Sequence, residues 1–303
     1  MKIPTKVYPY RLPYMGSKQN IAYSIMMAIA QKKPKAKYFF DIFGGGASMS
    51  LMAKQFGLKV YYTEKNAGIV NLLNFLKDNK IPKEWIKWID REEFKKCLVK
   101  DDPYSVFVTV VWSFGNNRQA YLFGKDFEEL KRLAFEVVVH CDYESLDELK
   151  QKTGLNLKMP KQTKLHERRL DLSKQIKSVR AFNRGCKELI QIECLSRLAV
   201  CERLQQLEYL QQLEYLNNLE LPYDEVVIYC DPPYRNTAEY TDNEFNYKEF
   251  DEWVKKLKYD VFISEYNCPF EKIASFGKMS LLNNSKDKKP LISDNLYLHK
   301  AEI

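Results

Sequence analysis

The chain has 303 residues, 45% hydrophobic and 29% charged, with a net charge of +8. That is a globular composition, long enough for one large domain or for a domain carrying a sizeable insertion. It argues against an integral membrane protein, since the longest apolar run, "VFVTVVWSF", is far too short to span a bilayer. The positive balance suits a nucleic-acid partner and equally suits ordinary surface variation.

Residues 1–16 are rich in Pro and Tyr and read as an extended arm without the apolar core of a signal peptide. The seven cysteines are scattered with no CxxC pair, and the three histidines lie far apart. A reducing, cytoplasmic location is therefore expected, with free thiols and no metal site. "SKQNIAYSIMMAIAQ" reads as a helix capped by Ser17, with Ile21, Ile25 and Ile29 at helical spacing. "KYFFDIFGGGASMSLMAKQ" is a short apolar strand, a glycine turn and a helix. "KVYYTEKNAGIVNLLNFLK" repeats strand, acid and helix. Two such units in succession predict a parallel α/β sheet.

The pattern changes near residue 80. Residues 83–187 hold helical segments, the apolar run Val106–Phe114, and a basic tract with ten Lys or Arg against two acids between Lys158 and Lys187. This reads as an insertion interrupting the sheet. The predicted organisation is 1–80 for a first, ligand-binding part, 81–190 for the insertion, and 191–303 for the return to the sheet. Residues 192–221 repeat in sixes ("LQQLEY LQQLEY"), and two readings stand: leucine-rich-repeat turns or a long buried helix. "EVVIYC" and "DVFISEY" are strands, "KEFDEWVKKLK" is a helix, and "KMSLL" with "DNLYLHK" is an antiparallel pair at the sheet edge.

Two stretches carry chemistry. In "DIFGGGASM" the glycines let the backbone approach a ligand closely, but neither a phosphate-binding loop nor a dinucleotide fingerprint is present. Glu64 follows the next strand, where a carboxylate can take a ribose diol. A tight turn with a helix-capping glutamate is the other reading. In "CDPPY" a buried strand ends in Asp231, where parallel strands open on their ligand crevice. Pro232 and Pro233 fix the backbone and bring no N–H to compete with the acceptors. Asp231 and the Pro232 carbonyl can accept the two hydrogens of an exocyclic NH₂ while Tyr234 stacks on the base.

"PYMGSK" (13–18), "DIFGGGAS" (41–48) and "CDPPY" (230–234), in that order, resemble the Dam-like DNA adenine-N6 methyltransferases. "WSFGNNRQAYLFGKD" (112–126), the leucine hexads and "FISEY" resemble features of a phage-borne branch. The resemblance implies a seven-stranded, mostly parallel sheet with a helical target-recognition insertion. It also implies methyl transfer from S-adenosylmethionine to adenine N6 in double-stranded DNA, without a metal. It assigns Tyr14 and Lys18 to an N-terminal cofactor contact. Asp41, Phe43, Gly44 and Gly46 fall to the methionine part of the cofactor, Glu64 to its ribose, and Tyr223 to the neighbourhood of its adenine. Asp231, Pro232, Pro233 and Tyr234 form the catalytic motif, with Asp231 also beside the cofactor. Residues 235–246 either close over the flipped base or form a solvent loop.

For DNA, the basic tract offers Arg168, Arg169 and Arg180 with Lys158, Lys161, Lys164, Lys174, Lys177 and Arg184 to phosphates, or else makes a solvated helix face. Asn116, Asn117, Arg118 and Gln119 suit base edges in the major groove, and a structural turn would look the same. Cytosine-N4 methylation, an inactive DNA-binding decoy and an RNA substrate are the competing functions. The target sequence and the oligomeric state are left open.

Overall fold

A computed structural model describes residues 1–8, 12–79, 81–176, 202–203, 215–235, 245–277 and 293–301. The chain begins with α1 (Ala22–Lys32), β1 (Tyr38–Asp41), α2 (Ser48–Gln55) and β2 (Lys59–Tyr62). A helical stretch follows: α3 (Ala67–Asp78), α4 (Arg91–Cys97), α5 (Pro103–Val111), α6 (Lys125–His140), α7 (Tyr143–Thr153) and α8 (Leu165–Gln175). The sheet then resumes with β3 (Val226–Cys230), α9 (Tyr247–Lys255), β4 (Val261–Glu265), β5 (Glu271–Gly277) and β6 (Ser293–His299).

The chain divides into two compact units. One comprises Met1–Pro9, Lys18–Asn66 and Val200–Ile303, and the other Tyr10–Ser17 and Ala67–Ala199. The first is an α/β unit built on a mixed, mostly parallel sheet in the order β2-β1-β3-β4-β6-β5. The β2–β1, β1–β3 and β3–β4 pairs are parallel, and β6 runs antiparallel to both β4 and β5. Glu202–Arg203 makes a two-residue parallel pairing along the outer side of β2.

Every residue of β3 and β4 is buried, as their near-continuous apolar sequences require of strands covered on both faces. On one face Phe40, Ile228, Cys230, Val261 and Ile263 pack with Phe250, Trp253 and Val254 of α9 in the main core cluster. The alternation of strand side chains puts Phe39, Asp41, Val227 and Tyr229 on the other face, where Phe39 and Tyr229 stack with ring centres 5.8 Å apart. That face is covered by α2.

Two expectations are corrected here. The first helix begins at Ala22, not at a cap on Ser17: Gly16 has a positive φ, Ser17 N–H donates to the Tyr14 carbonyl, and Ile21 N–H to that of Lys18, so the chain turns before it winds. The strand paired with "DNLYLHK" is Glu271–Gly277, whose polar, half-exposed sequence hid it. "KMSLL", and the hexad repeat apart from residues 202–203 and 215–221, lie outside the described residues.

The second unit is helical. Asp90, Asp102 and Asp142 cap α4, α5 and α7 by accepting the N–H three residues on. Its core holds Trp88, Trp112, Phe123 and Phe135, with Trp88 stacked on Phe123 at 5.5 Å and edge-on to Trp112 at 5.0 Å. Among the described residues no helix is long and apolar enough to cross a membrane.

Candidate active site at the strand ends

β1 and β3 are neighbours, while β2 lies on the far side of β1. The chain therefore reverses its direction of travel across the sheet between β1 and β3, the position at which open α/β sheets bind ligands beyond their strand ends. Asp41 is in register with Tyr229, so Asp231 follows on the same face, one strand across. Ser50 on α2 donates both its main-chain N–H (3.1 Å) and its hydroxyl (2.6 Å) to Asp41 Oδ2. Asp41 Oδ1 is fully buried and accepts no hydrogen bond among the described residues. Burial raises the Asp41 carboxyl to about 7; the Ser50 bonds oppose that shift, and the nearby Asp231 and Glu64 charges add to it.

The glycine turn is built to bring backbone close. Gly44 N–H donates to the Thr63 carbonyl at 2.8 Å, and a Cβ added at Gly44 would lie 2.1 Å from the Tyr62 ring. No side chain fits there. The Tyr62 hydroxyl donates to the Gly45 carbonyl at 2.7 Å. Gly46 is buried in the same turn, and Ala47 adopts the left-handed region to start α2. Glu64 accepts Gly45 N–H on Oε2 (2.8 Å) and Asn66 N–H on Oε1 (2.9 Å), and burial raises its carboxyl. The glutamate thus performs the turn-holding role in this structure. Phe43 points to the α9 side, edge-on to Phe245 and Phe250 at 5.8 Å each.

At the end of β3, Cys230 is fully buried and burial pushes its thiol well up. Asp231 Oδ2 lies 2.7 Å from Lys18 Nζ, with the lysine side chain only 4% exposed. The same ammonium sits 4.7 Å from the centre of the Tyr234 ring. Pro232 is buried and Pro233 half-buried. Tyr234 is buried and stands edge-on to Tyr266 at 4.5 Å. The first and last of the three sequence motifs therefore meet directly, through Lys18 and Asp231.

Tyr223 lies away from the strand ends that carry Asp41 and Asp231. It lies in the turn before β3, with the five residues of that strand between it and Asp231, roughly 16 Å of extended chain. There it is locked at the opposite end of the sheet. Its hydroxyl bonds Asp260, its carbonyl accepts Lys33 Nζ at 3.0 Å, and the Lys33 ammonium lies 3.7 Å from its ring centre and 2.9 Å from Asp260. Tyr14 belongs to the helical unit, where its carbonyl accepts Ser17 N–H.

In the helical unit the 112–126 stretch forms a tight loop closed by the Ser113–Tyr121 bridge. Asn116 is buried and its amide donates to the Val110 carbonyl at the end of α5. Arg118 Nε donates to Thr109 Oγ1 at 3.2 Å and its guanidinium lies 3.6 Å from Asp101. Asn117 Oδ1 accepts Gln119 N–H. Phe114 and Gln119 are exposed. Arg168 and Arg169 are half-buried on α8, with Arg168 against the Cys141 sulfur. Lys158, Lys161, Lys164 and Lys174 are exposed, while Lys177, Arg180, Arg184 and residues 236–244 lie outside the described residues.

Sequence reasoning missed Ser50 and assigned no role to Glu265 or Tyr266. A usable signal was present. Asp41, Glu64, Asp231 and Glu265 are each an acid closing an otherwise apolar strand.

A family model described as D12 class N6 adenine-specific DNA methyltransferase matches residues 14–182, more than half of the chain. The match takes in "PYMGSK" from Tyr14 onward, the glycine turn and the helical stretch, and ends before "CDPPY". No curated protein matches the chain.

Proposed function

The chain belongs to the D12 class N6 adenine-specific DNA methyltransferases, and from that premise we propose that its reaction takes place at the ends of β1 and β3. The family's reaction is methyl transfer from S-adenosylmethionine to adenine N6 in DNA, which favours adenine N6 over cytosine N4 as the target.

The observation that carries the reading is one juxtaposition. A buried Asp41 oxygen that accepts no hydrogen bond among the described residues and the Lys18–Asp231 ion pair sit at the carboxyl ends of adjacent strands, on one face. Asp41 Oδ1 fits the ammonium of the cofactor's methionine part, and the turn carrying Gly44 and Gly46 follows directly on from Asp41. The family resemblance assigns Glu64 to the ribose diol and Phe43 to a further cofactor contact. S-adenosylmethionine supplies a methyl group already activated on a sulfonium, transferred as the C–N bond forms and the C–S bond breaks.

The protein's share is positioning and electrostatics. The target adenine is flipped out of the duplex, because its N6 is unreachable inside the stack. Asp231 and the Pro232 carbonyl accept the N6 hydrogens, Pro233 keeps the backbone rigid, and the Tyr234 ring stacks on the base. Lys18 acts mainly on Asp231: its ammonium holds the carboxylate against rotation and keeps a charge-assisted contact within reach of the reacting amine. The N6 proton leaves to Asp231 or to water.

The helical insertion, residues 81–190, is read as the target-recognition part. Its basic tract, Arg168 and Arg169 with Arg180 later in the sequence, is assigned to phosphates, and the exposed Gln119 is the better base-reading candidate, because Asn116, Asn117 and Arg118 each hydrogen-bond within the loop. A site-specific, phage-borne enzyme of the cytoplasm, with Glu202–Arg203 as a seventh strand, belongs to the same reading.

The test is transfer from labelled S-adenosylmethionine to unmodified duplex DNA, with Asp231→Ala beside wild type. Label recovered as N6-methyladenine and reduced by about 10²–10⁴-fold in the variant is expected. A variant as active as wild type would remove Asp231 from the chemistry.

A further inference from the structure

We propose that Glu265 is a positioning residue for methyl transfer, holding the main chain at Arg235, and through it the ring of Tyr234, where the target base is received. The proposal rests on the reading of Asp231–Tyr234 given above.

Glu265 closes β4, the strand beside β3, and is almost fully buried. Arg235 N–H donates to both of its oxygens, at 3.3 and 3.1 Å, and Tyr266 N–H donates to Oε1 at 2.7 Å. Arg235 directly follows Tyr234. The two prolines ahead of Tyr234 have no N–H with which to anchor the turn. Arg235 therefore offers one of the first main-chain donors after the rigid double proline, and Glu265 takes it.

The same carboxylate fixes a second ring. Tyr266 is held by its N–H to Glu265, while its carbonyl accepts Asn295 Nδ2 at 2.8 Å and the Tyr297 hydroxyl at 3.1 Å. Tyr266 is the residue standing edge-on to Tyr234. One buried carboxylate thus sets both members of the aromatic pair beside Asp231. The Arg235 side chain adds a brace. Its guanidinium lies 2.6 Å from Asp251 on α9, 3.9 Å from Glu265 Oε2, and 4.9 Å from the centre of the Tyr247 ring.

A carboxylate is a costly way to fill a strand end. Burial raises the Glu265 carboxyl, and an apolar side chain would pack there without that desolvation. What an apolar side chain lacks is an acceptor for two converging N–H groups, and their geometry is what a stacked base requires.

Four quantities test this: kcat, the KM and dissociation constant for S-adenosylmethionine, and the melting temperature, for wild type, Glu265→Ala, Glu265→Gln and Asp231→Ala. For Glu265→Ala a kcat drop of about 10²-fold is expected, with cofactor affinity unchanged because the glycine turn is untouched. Glu265→Gln keeps one acceptor but turns an NH₂ toward the donors, and a drop of roughly 10-fold is expected. Amide hydrogen exchange on the wild type reads the contact directly, with the Arg235 N–H expected to be protected. A folded Glu265→Ala or Glu265→Gln protein with wild-type kcat overturns the proposal. So does a fall in kcat matched by an equal loss of cofactor affinity, which marks a general structural role. If Glu265→Ala does not fold, Glu265→Gln and the Arg235 exchange rate decide. Full activity in Asp231→Ala would instead sink the site reading itself.

Discussion

The strand ends of the α/β unit and the 112–126 loop of the helical unit are both clusters of polar residues, and the structure treats them oppositely. In the loop, the polar groups turn inward. Asn116 closes the end of α5, Arg118 bonds Thr109, and the chain takes positive φ at Gly115, Asn116 and Arg118 to do so. At the strand ends, Ser50 occupies only one oxygen of Asp41, and the other is buried with no donor among the described residues. A polar side chain spent on its own backbone shapes a surface, whereas one held in place with an acceptor to spare can take a ligand.

That contrast can be broken most forcefully at Lys18. Lys18→Met leaves Asp231 without its ion-pair partner in a largely buried setting and is expected to lower stability by about 3 kcal/mol, the lower end for a broken buried pair. Denaturant titration would measure this, and activity should fall further than the lost stability accounts for. If stability drops while specific activity of the folded fraction holds, Lys18 is scaffolding and the strand ends resemble the loop after all.

Asn116→Ala probes the other side. It leaves the Val110 carbonyl without its donor and is expected to cost about 1–3 kcal/mol. The methylated sequence, read by sequencing N6-methyladenine positions, should stay the same. A changed target sequence would make Asn116 a reading residue and erase the distinction.

The smallest effect, and the sharpest for Asp41, is in pH. The folded, ligand-free chain keeps a proton on Asp41 up to about pH 7, while the unfolded chain loses it near pH 4. In that window the native state binds more protons, so the Asp41 contribution to stability declines as pH rises from about 4 to 7 and is level above. Binding of a cationic ammonium requires the carboxylate. Affinity for S-adenosylmethionine should therefore improve by about tenfold from pH 6 to pH 8, flattening above 7, in equilibrium binding measurements. Asp41→Asn should remove that slope.

What could be read beforehand was local. The glycine turn, the parallel strand–helix pairs and the rigid "CDPPY" platform announce themselves through residue types within a short window. The ion pair from Lys18 to Asp231, the grip of Glu265 on Arg235 and the pairing of Glu271–Gly277 with β6 join residues distant in sequence, and no spacing rule encodes them. Tyr223 was misplaced for a related reason. Closeness to a strand in sequence does not say which end of the strand is meant, and its own lies against Lys33 and Asp260. For Asn116 and Arg118 residue type leaves base reading and a structural turn equally open, and the left-handed backbone at both carries them inward, into the turn.

Cys230 stands directly before the proposed catalytic aspartate, yet it belongs to the core beneath the strand rather than to the crevice above it. Its thiol is held in the neutral form, so it offers no thiolate for attack on a base ring. Modified bases that inactivate other enzymes by capturing a cysteine adduct would find no reactive sulfur in that residue. An inhibitor directed at this crevice must instead gain its hold by reversible recognition, through a cation for Asp41 and a flat amine-bearing ring for Asp231 and Tyr234.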